Sequence, residues 1–187
     1  MTDKRRFLFL LSSARADGNA EILARRAAAQ LPKHNDQRWL ALRKLALPAF
    51  VDTRHQADDG TYAMPTGDAL HLLQETLSAT DIVFVAPLYW YSLPAPAKLY
   101  LDHWSGWMRL SDVDFQARMR GKRLWVITII SDPDRSTAEP LLGGLRLTAS
   151  YMNMAWAGAV VGYGNRAGDV LNDDEAVATA ENLFAAG

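Results

Sequence analysis

The chain has 187 residues, no cysteine and a formal net charge of −1, with 49% apolar and 22% charged residues. This composition excludes disorder, disulfides, thiolate metal sites and a cysteine nucleophile, and the near-neutral balance argues against a nucleic-acid surface. The length suits one packed domain, expected to span residues 1–187.

Basic residues before the apolar run 7–11 imitate a secretion signal, but an h-region needs roughly 7–15 apolar residues. No stretch reaches membrane-spanning length, so the expectation is a cytoplasmic protein with no membrane partner. The run 7–11 reads as a strand buried on both faces. Ala20, Leu23, Ala24, Ala27 and Leu31 then follow helical spacing, and Pro32 ends the pattern. Residues 38–42 read as a second strand. The irregular stretch 48–65 contains Asp58-Asp59-Gly60 and two prolines, and loops of that length are functional or mobile.

Leu70, Leu73 and Leu77 mark a helix opening near Thr66. Residues 81–86 form the next buried strand, rich in β-branched and aromatic residues. A proline- and aromatic-rich loop, 87–96, leads into a helix over 97–108. A buried strand at 123–130, a helix at 141–152, a strand at 156–161 and a helix at 175–185 complete the chain. Apolar strands alternating with helices call for a parallel sheet covered on both faces. Right-handed crossovers leave few arrangements for five strands. The flavodoxin-like α/β/α sandwich, with strand order 2-1-3-4-5, uses all five and places ligands at the carboxyl ends of strands one and three.

The loop after strand one reads LSSARADGNAE. Its N–H groups and the following helix start suit an anion. Ser12 and Ser13 offer hydroxyls, Arg15 a bidentate cation, Gly18 close backbone approach, and Asn19 both a helix cap and a phosphate contact. A plain helix start capped by Asp17 or Asn19 reads equally well from this loop alone. The glycine–lysine signature of a Walker loop and the three glycines of a dinucleotide fingerprint are missing.

Strand three ends in APLYWYSLPAPAK. Three consecutive aromatics point in different directions and do not make one core face, while a stiff loop with open amides suits a planar heterocycle. A loop packed under neighbouring helices remains the alternative. Taken together, the two loops put a ring system beside a phosphate, the shape of FMN.

At these residues the chain resembles the flavodoxin-like NAD(P)H-dependent oxidoreductases, the superfamily of FMN, quinone and azo reductases. The shared pattern is Pro87, Tyr89, Trp90, Ser92, Pro94, Ala95, Lys98 and Asp102, with the first loop and the turn from Gly164 to Val170 beside it. The resemblance implies phosphate contacts from Ser13, Arg15, Gly18 and Asn19. It implies ring contacts from Pro87, Leu88, Tyr89, Trp90 and Tyr91, with Ser131 and Asp132 flanking the ring. Ala20 stands where the family has a hydroxyl, and the loop after strand four lacks the family's glycine pairs. The implied activity passes hydride from NADPH or NADH through FMN to a quinone, azo, nitro or flavin acceptor. A flavodoxin-type electron carrier and a cofactor-less binding domain are the alternatives.

No acid–base dyad is expected. His34, His55, His71 and His103 are scattered, Lys98 and Asp102 read as an i,i+4 surface pair, and Asp132 and Asp134 read as a turn around Pro133 rather than metal ligands. Arg109, Arg118, Arg120 and Arg135 are candidates for a 2′-phosphate. Tyr100, Trp104, Trp107 and Met108 carry more bulk than one buried face needs, so a homodimer contact bordering the cofactor pocket is expected.

Overall fold

A computed structural model of the chain describes residues 4–53, 55 and 62–186. The Asp58-Asp59-Gly60 part of the long loop lies outside the described residues. The strands are β1 (Arg6–Leu11), β2 (Asp36–Ala41), β3 (Asp81–Pro87), β4 (Arg123–Ile130) and β5 (Ala155–Tyr163). The helices are α1 (Asn19–Ala28), α2 (Gly67–Ser78), α3 (Ala95–Trp107), α4 (Phe115–Met119), α5 (Glu139–Tyr151) and α6 (Asp174–Asn182). All pairings are parallel, in the order β2-β1-β3-β4-β5. No helix among the described residues is long and apolar enough to cross a membrane.

Alternation along each strand divides the core. Phe7, Phe9, Val83, Val85, Trp125 and Ile127 meet α1 and α6 on one face. Leu8, Leu10, Ile82, Phe84, Leu124 and Val126 meet α2, α3, α4 and α5 on the other. Beyond their charged first residues, the central strands β1, β3 and β4 are therefore apolar on both faces, Thr128 excepted, as expected for a sheet covered on both sides. The edge strand β2 alternates less clearly because its first residues are exposed.

Two expectations change. Residues 108–122 contain the short helix α4, too brief to leave a periodic signal. Its Phe115 explains the aromatic bulk of α3: Trp104 and Trp107 each meet the Phe115 ring edge-on at 5.5 Å, and both meet Tyr100. Tyr100, Trp104 and Trp107 are 0%, 3% and 3% exposed. Of the residues that suggested a homodimer contact, the three aromatics are core and Met108 is partly buried against it.

The long loop is held to α3. His103 Nε2 lies 2.9 Å from the Pro48 carbonyl, and the Tyr62 ring lies where a Cβ on Gly106 would come within 3.1 Å. Lys98 and Asp102 form the expected i,i+4 pair. At the β5 edge, Asp173 accepts from Tyr163 N at 2.7 Å and the Arg135 guanidinium takes the Val161 carbonyl, covering groups that an edge strand leaves open.

The amino ends of the central strands converge on Asp81, which has no solvent exposure. Arg5 of the segment leading into β1 donates to it at 3.0 and 2.5 Å, Thr80 at 2.7 Å and Trp125 of β4 at 2.8 Å. Removing one partner of a buried pair leaves an uncompensated charge, so Asp81→Ala is expected to lose about 3–5 kcal/mol of stability, measured by denaturant unfolding. Nearby, Lys122 donates to the Leu77 and Ala79 carbonyls. Burial, reinforced by Arg118, lowers its pKa to about 8, against a smaller opposing pull from Asp81. Between that value and the ordinary 10.5, the unfolded chain binds more protons than the folded one, so stability rises with pH. Wild type is expected to gain in Tm on Lys122→Met as pH rises from about 8 to 10, and a constant difference would contradict this.

Candidate functional site

The chain leaves β1 through a loop whose first residue turns inward. Ser12 is fully buried, and both its N–H and its hydroxyl donate to the Val85 carbonyl at 3.0 Å. Ser12 therefore ties the loop to β3 and faces away from the cleft. Ser13 Oγ accepts from Arg15 N at 3.1 Å, which closes a tight polar turn. The Arg15 side chain is exposed and forms no ion pair among the described residues.

Helix α1 starts at Asn19 with Gly18 as its N-cap, and no side chain caps it. The first-turn N–H groups are open to a ligand. This corrects the capping role expected of Asn19. One position inside the helix, its side chain points across to the loop after β5, where Nδ2 donates to Arg166 O and Oδ1 accepts from Gly168 N, both at 2.8 Å. The contact is close: a Cβ on Gly164 would come within 2.8 Å of Asn19 Nδ2.

These groups border a cleft of about 170 Å³ at the carboxyl ends of β1, β3 and β4. Ser13, Arg15, Gly18, Asn19 and Ala20 line it from the first loop, and Pro87, Leu88 and Tyr89 from the loop after β3. Ser131 joins them from the end of β4. Four lining residues, Ile129, Ile130, Gly164 and Asn165, were not expected. The rule that ligands sit at strand carboxyl ends points to the two isoleucines. The Gly-Asn pair after β5 was visible only as a turn.

After β3 the chain makes a tight reversal. Tyr89 and Ser92 exchange backbone hydrogen bonds at 3.1 and 3.0 Å, while Trp90 and Tyr91 sit at φ +51° and +62°. Two successive positive φ values define the hairpin turn that ordinarily takes Asn-Gly, and bulky residues there are strained. Trp90 is 93% exposed and Tyr91 57%. The N–H groups of Trp90 and Tyr91 make no hydrogen bond among the described residues. The turn, rather than its neighbouring prolines, sets the shape of this loop.

Trp90, Tyr91 and Asp132 border a second cleft of about 220 Å³, which shares Leu88, Ile130 and Ser131 with the first. The expected site residues, Ser12 excepted, thus divide between two adjoining clefts. Asp132 Oδ1 accepts from Asp134 N at 2.8 Å, and Asp134 accepts from Ser136 N at 2.9 Å. Those Ser136 hydrogen bonds hold the Asp134 carboxyl below its usual range. The two aspartates form turns, and no metal-holding group of three acidic, His or Cys residues occurs among the described residues.

The candidates for a 2′-phosphate are not available there. Arg118 and Arg120 precede β4 at its amino end, and Arg109 follows α3 at that same end. Arg135 is paired with Asp173 at 2.7 Å and Glu175 at 3.3 Å. Partial burial pushes the Asp173 carboxyl up, but Arg135 and the N–H groups of Tyr163 and Ala176 outweigh it and hold it below the usual range. A larger groove, about 350 Å³, runs past Arg135 along the β5 edge, away from the strand ends that carry the two loops.

Comparison with known proteins supplies a family. A family model described as "Flavodoxin-like fold" matches residues 5–184. A Bacillus subtilis (strain 168) protein named "Putative NAD(P)H-dependent FMN-containing oxidoreductase YwqN" is 29% identical over 171 residues, 91% of each chain. Among solved structures, the Trp repressor binding protein from Bacillus subtilis aligns with a TM-score of 0.73 at 23% identity, covering 95% of this chain and 97% of that one. An FMN-dependent NADH-azoreductase from Bacillus anthracis in complex with FMN aligns with a TM-score of 0.63 at 15% identity, covering 95% and 99%.

Strain at the aromatic turn is measurable. Replacing Trp90-Tyr91 by Asn-Gly is expected to stabilise the fold by about 1–2 kcal/mol, seen as a Tm higher by about 2–8 °C. An unchanged or lower Tm would show that the turn is unstrained.

Proposed function

The chain belongs to the family of flavodoxin-like fold, and from that premise we propose that it is an NAD(P)H-dependent FMN oxidoreductase reducing a quinone, azo, nitro or flavin acceptor. The observation that carries this reading is the meeting, in adjoining clefts, of an uncapped helix start beside Arg15 with an aromatic turn bearing two open N–H groups. The relative named as an FMN-containing oxidoreductase supports it across nine-tenths of the chain.

The residues present fit the cofactor. The open N–H groups of the first α1 turn, the Ser13 hydroxyl and the Arg15 guanidinium form a donor set for a phosphate dianion. Ala20 presents a methyl to the same cleft and adds no donor. The amides of Trp90 and Tyr91 offer two donors to the edge of a heterocycle. Pro87, Leu88, Ile129 and Ile130 give the first cleft an apolar side. Bound FMN supplies two-electron hydride chemistry, so the chain need only bind, orient and stabilise developing negative charge. Neither cleft is lined by a histidine.

We further place the protein in the cytoplasm as a homo-oligomer. With the α3 aromatics buried, its contact would use other apolar surface, such as Leu147 and Tyr151, 74% and 65% exposed on α5.

The test is a visible spectrum of protein loaded with FMN and desalted, recorded before and after anaerobic NADPH or NADH. A retained band that bleaches is expected. A retained band that does not bleach marks an electron carrier, and no retained band rejects the cofactor. Arg15→Ala is expected to weaken FMN roughly ten- to hundredfold while leaving riboflavin binding unchanged, measured by fluorescence titration of the apoprotein.

A further inference from the structure

The second cleft differs in chemistry from the first. Arg15 lines the first, whereas no cationic side chain lines the second. Leu88, Trp90, Tyr91 and Ile130 give it apolar and aromatic side chains within a lining that is otherwise polar, from Ser131, Asp132 and Thr137. Two cations on neighbouring elements are already paired, Arg135 with Asp173 and Glu175, and Lys98 with Asp102. The Asp132 carboxylate is thus not neutralised within its cleft.

Trp90 is the most exposed large apolar residue described and is held there by a strained backbone. Strain at an exposed aromatic is maintained where the side chain has something to meet, and an indole face suits a flat ring. The Ser131 hydroxyl, which makes no hydrogen bond among the described residues, lines both clefts and can donate to a ring oxygen. Ring stacking on Trp90 beside a carboxylate favours a cationic ring and disfavours an anionic one, through both the indole quadrupole and Coulomb repulsion.

We propose that the Trp90 and Asp132 side of this second cleft takes the ring of the electron acceptor, beside the cofactor ring that the turn's amides would hold, and selects planar aromatic compounds that are uncharged or cationic over anionic ones. The proposal rests on the oxidoreductase reading and names the acceptor class for it. Asp132 acts here as a specificity-determining residue.

The binding test uses FMN-loaded protein and three fused-ring probes of similar size: 1-methylquinolinium, 2-naphthol and naphthalene-2-sulfonate. Calorimetric titration is expected to rank them in that order, with the sulfonate bound roughly three- to tenfold more weakly than the naphthol. Asp132→Asn keeps an acceptor oxygen for Asp134 N, so the turn persists, and it is expected to bring the two within about twofold of each other. Trp90→Ala is expected to weaken all three. In turnover, the ratio of kcat/KM for 1,4-naphthoquinone-2-sulfonate to that for 2-methyl-1,4-naphthoquinone should rise in Asp132→Asn.

Equal binding of the sulfonate and the naphthol to wild type would overturn the proposal, as would a ratio unmoved by Asp132→Asn. A protein that retains FMN and bleaches with NAD(P)H but fails the ring test keeps the oxidoreductase reading and loses only this cleft. If FMN is not retained, the same titration is run on the apoprotein, and a ring preference there loses the oxidoreductase reading and, with it, the acceptor role.

Discussion

A buried carboxylate organises the closed end of this molecule. Asp81 accepts hydrogen bonds from Arg5, Thr80 and Trp125 with no solvent exposure. A bare carboxylate in that position would be prohibitively costly, so its partners must be in place whenever the sheet is formed. They come from the segment before β1, from the residue before β3 and from β4, which locks the amino ends of three central strands together. Apolar alternation then requires helices on both faces.

With the amino ends closed, polar chemistry collects at the carboxyl ends. There the chain crosses from strand to helix, and backbone groups are not used up by the sheet. Ser12 returns to β3 and fixes where the first loop starts. Asn19 reaches sideways and joins that loop to the turn after β5, leaving the first turn of α1 uncapped. A helix start held open in this way is a donor site. On the neighbouring strand, a turn with two aromatic residues at positive φ leaves its own amides open. The two features adjoin because β1 and β3 are paired, although 70-odd residues separate them along the chain.

The parts of the fold that could be read in advance were those with a repeating pattern. Five apolar runs and their intervening helices carry periodicity of two or 3.6 residues, and topology rules leave few ways to assemble them. The short helix α4 has too few residues to show a period, and without Phe115 the aromatics of α3 looked like surface. At the site, the residue types in the two loops announced their chemistry, and Ser13, Arg15, Pro87 and Tyr89 do share one cleft. The direction of each side chain was not legible. A serine can face a ligand or a strand carbonyl, and an asparagine can cap its helix or reach a distant loop, according to backbone angles that depend on what packs alongside.

The sequence by itself determined the class of fold, the strand order and the composition of the two loops that border the clefts, because hydrophobic periodicity and loop composition are local properties. The tertiary structure alone decided that Ser12 turns inward, that Asn19 binds the loop at Arg166 and Gly168, and that Trp90 and Tyr91 stand at positive φ facing a cleft of their own. Those outcomes depend on hydrogen bonds and contacts between segments far apart in the chain, whose geometry exists only once the sheet has brought them together.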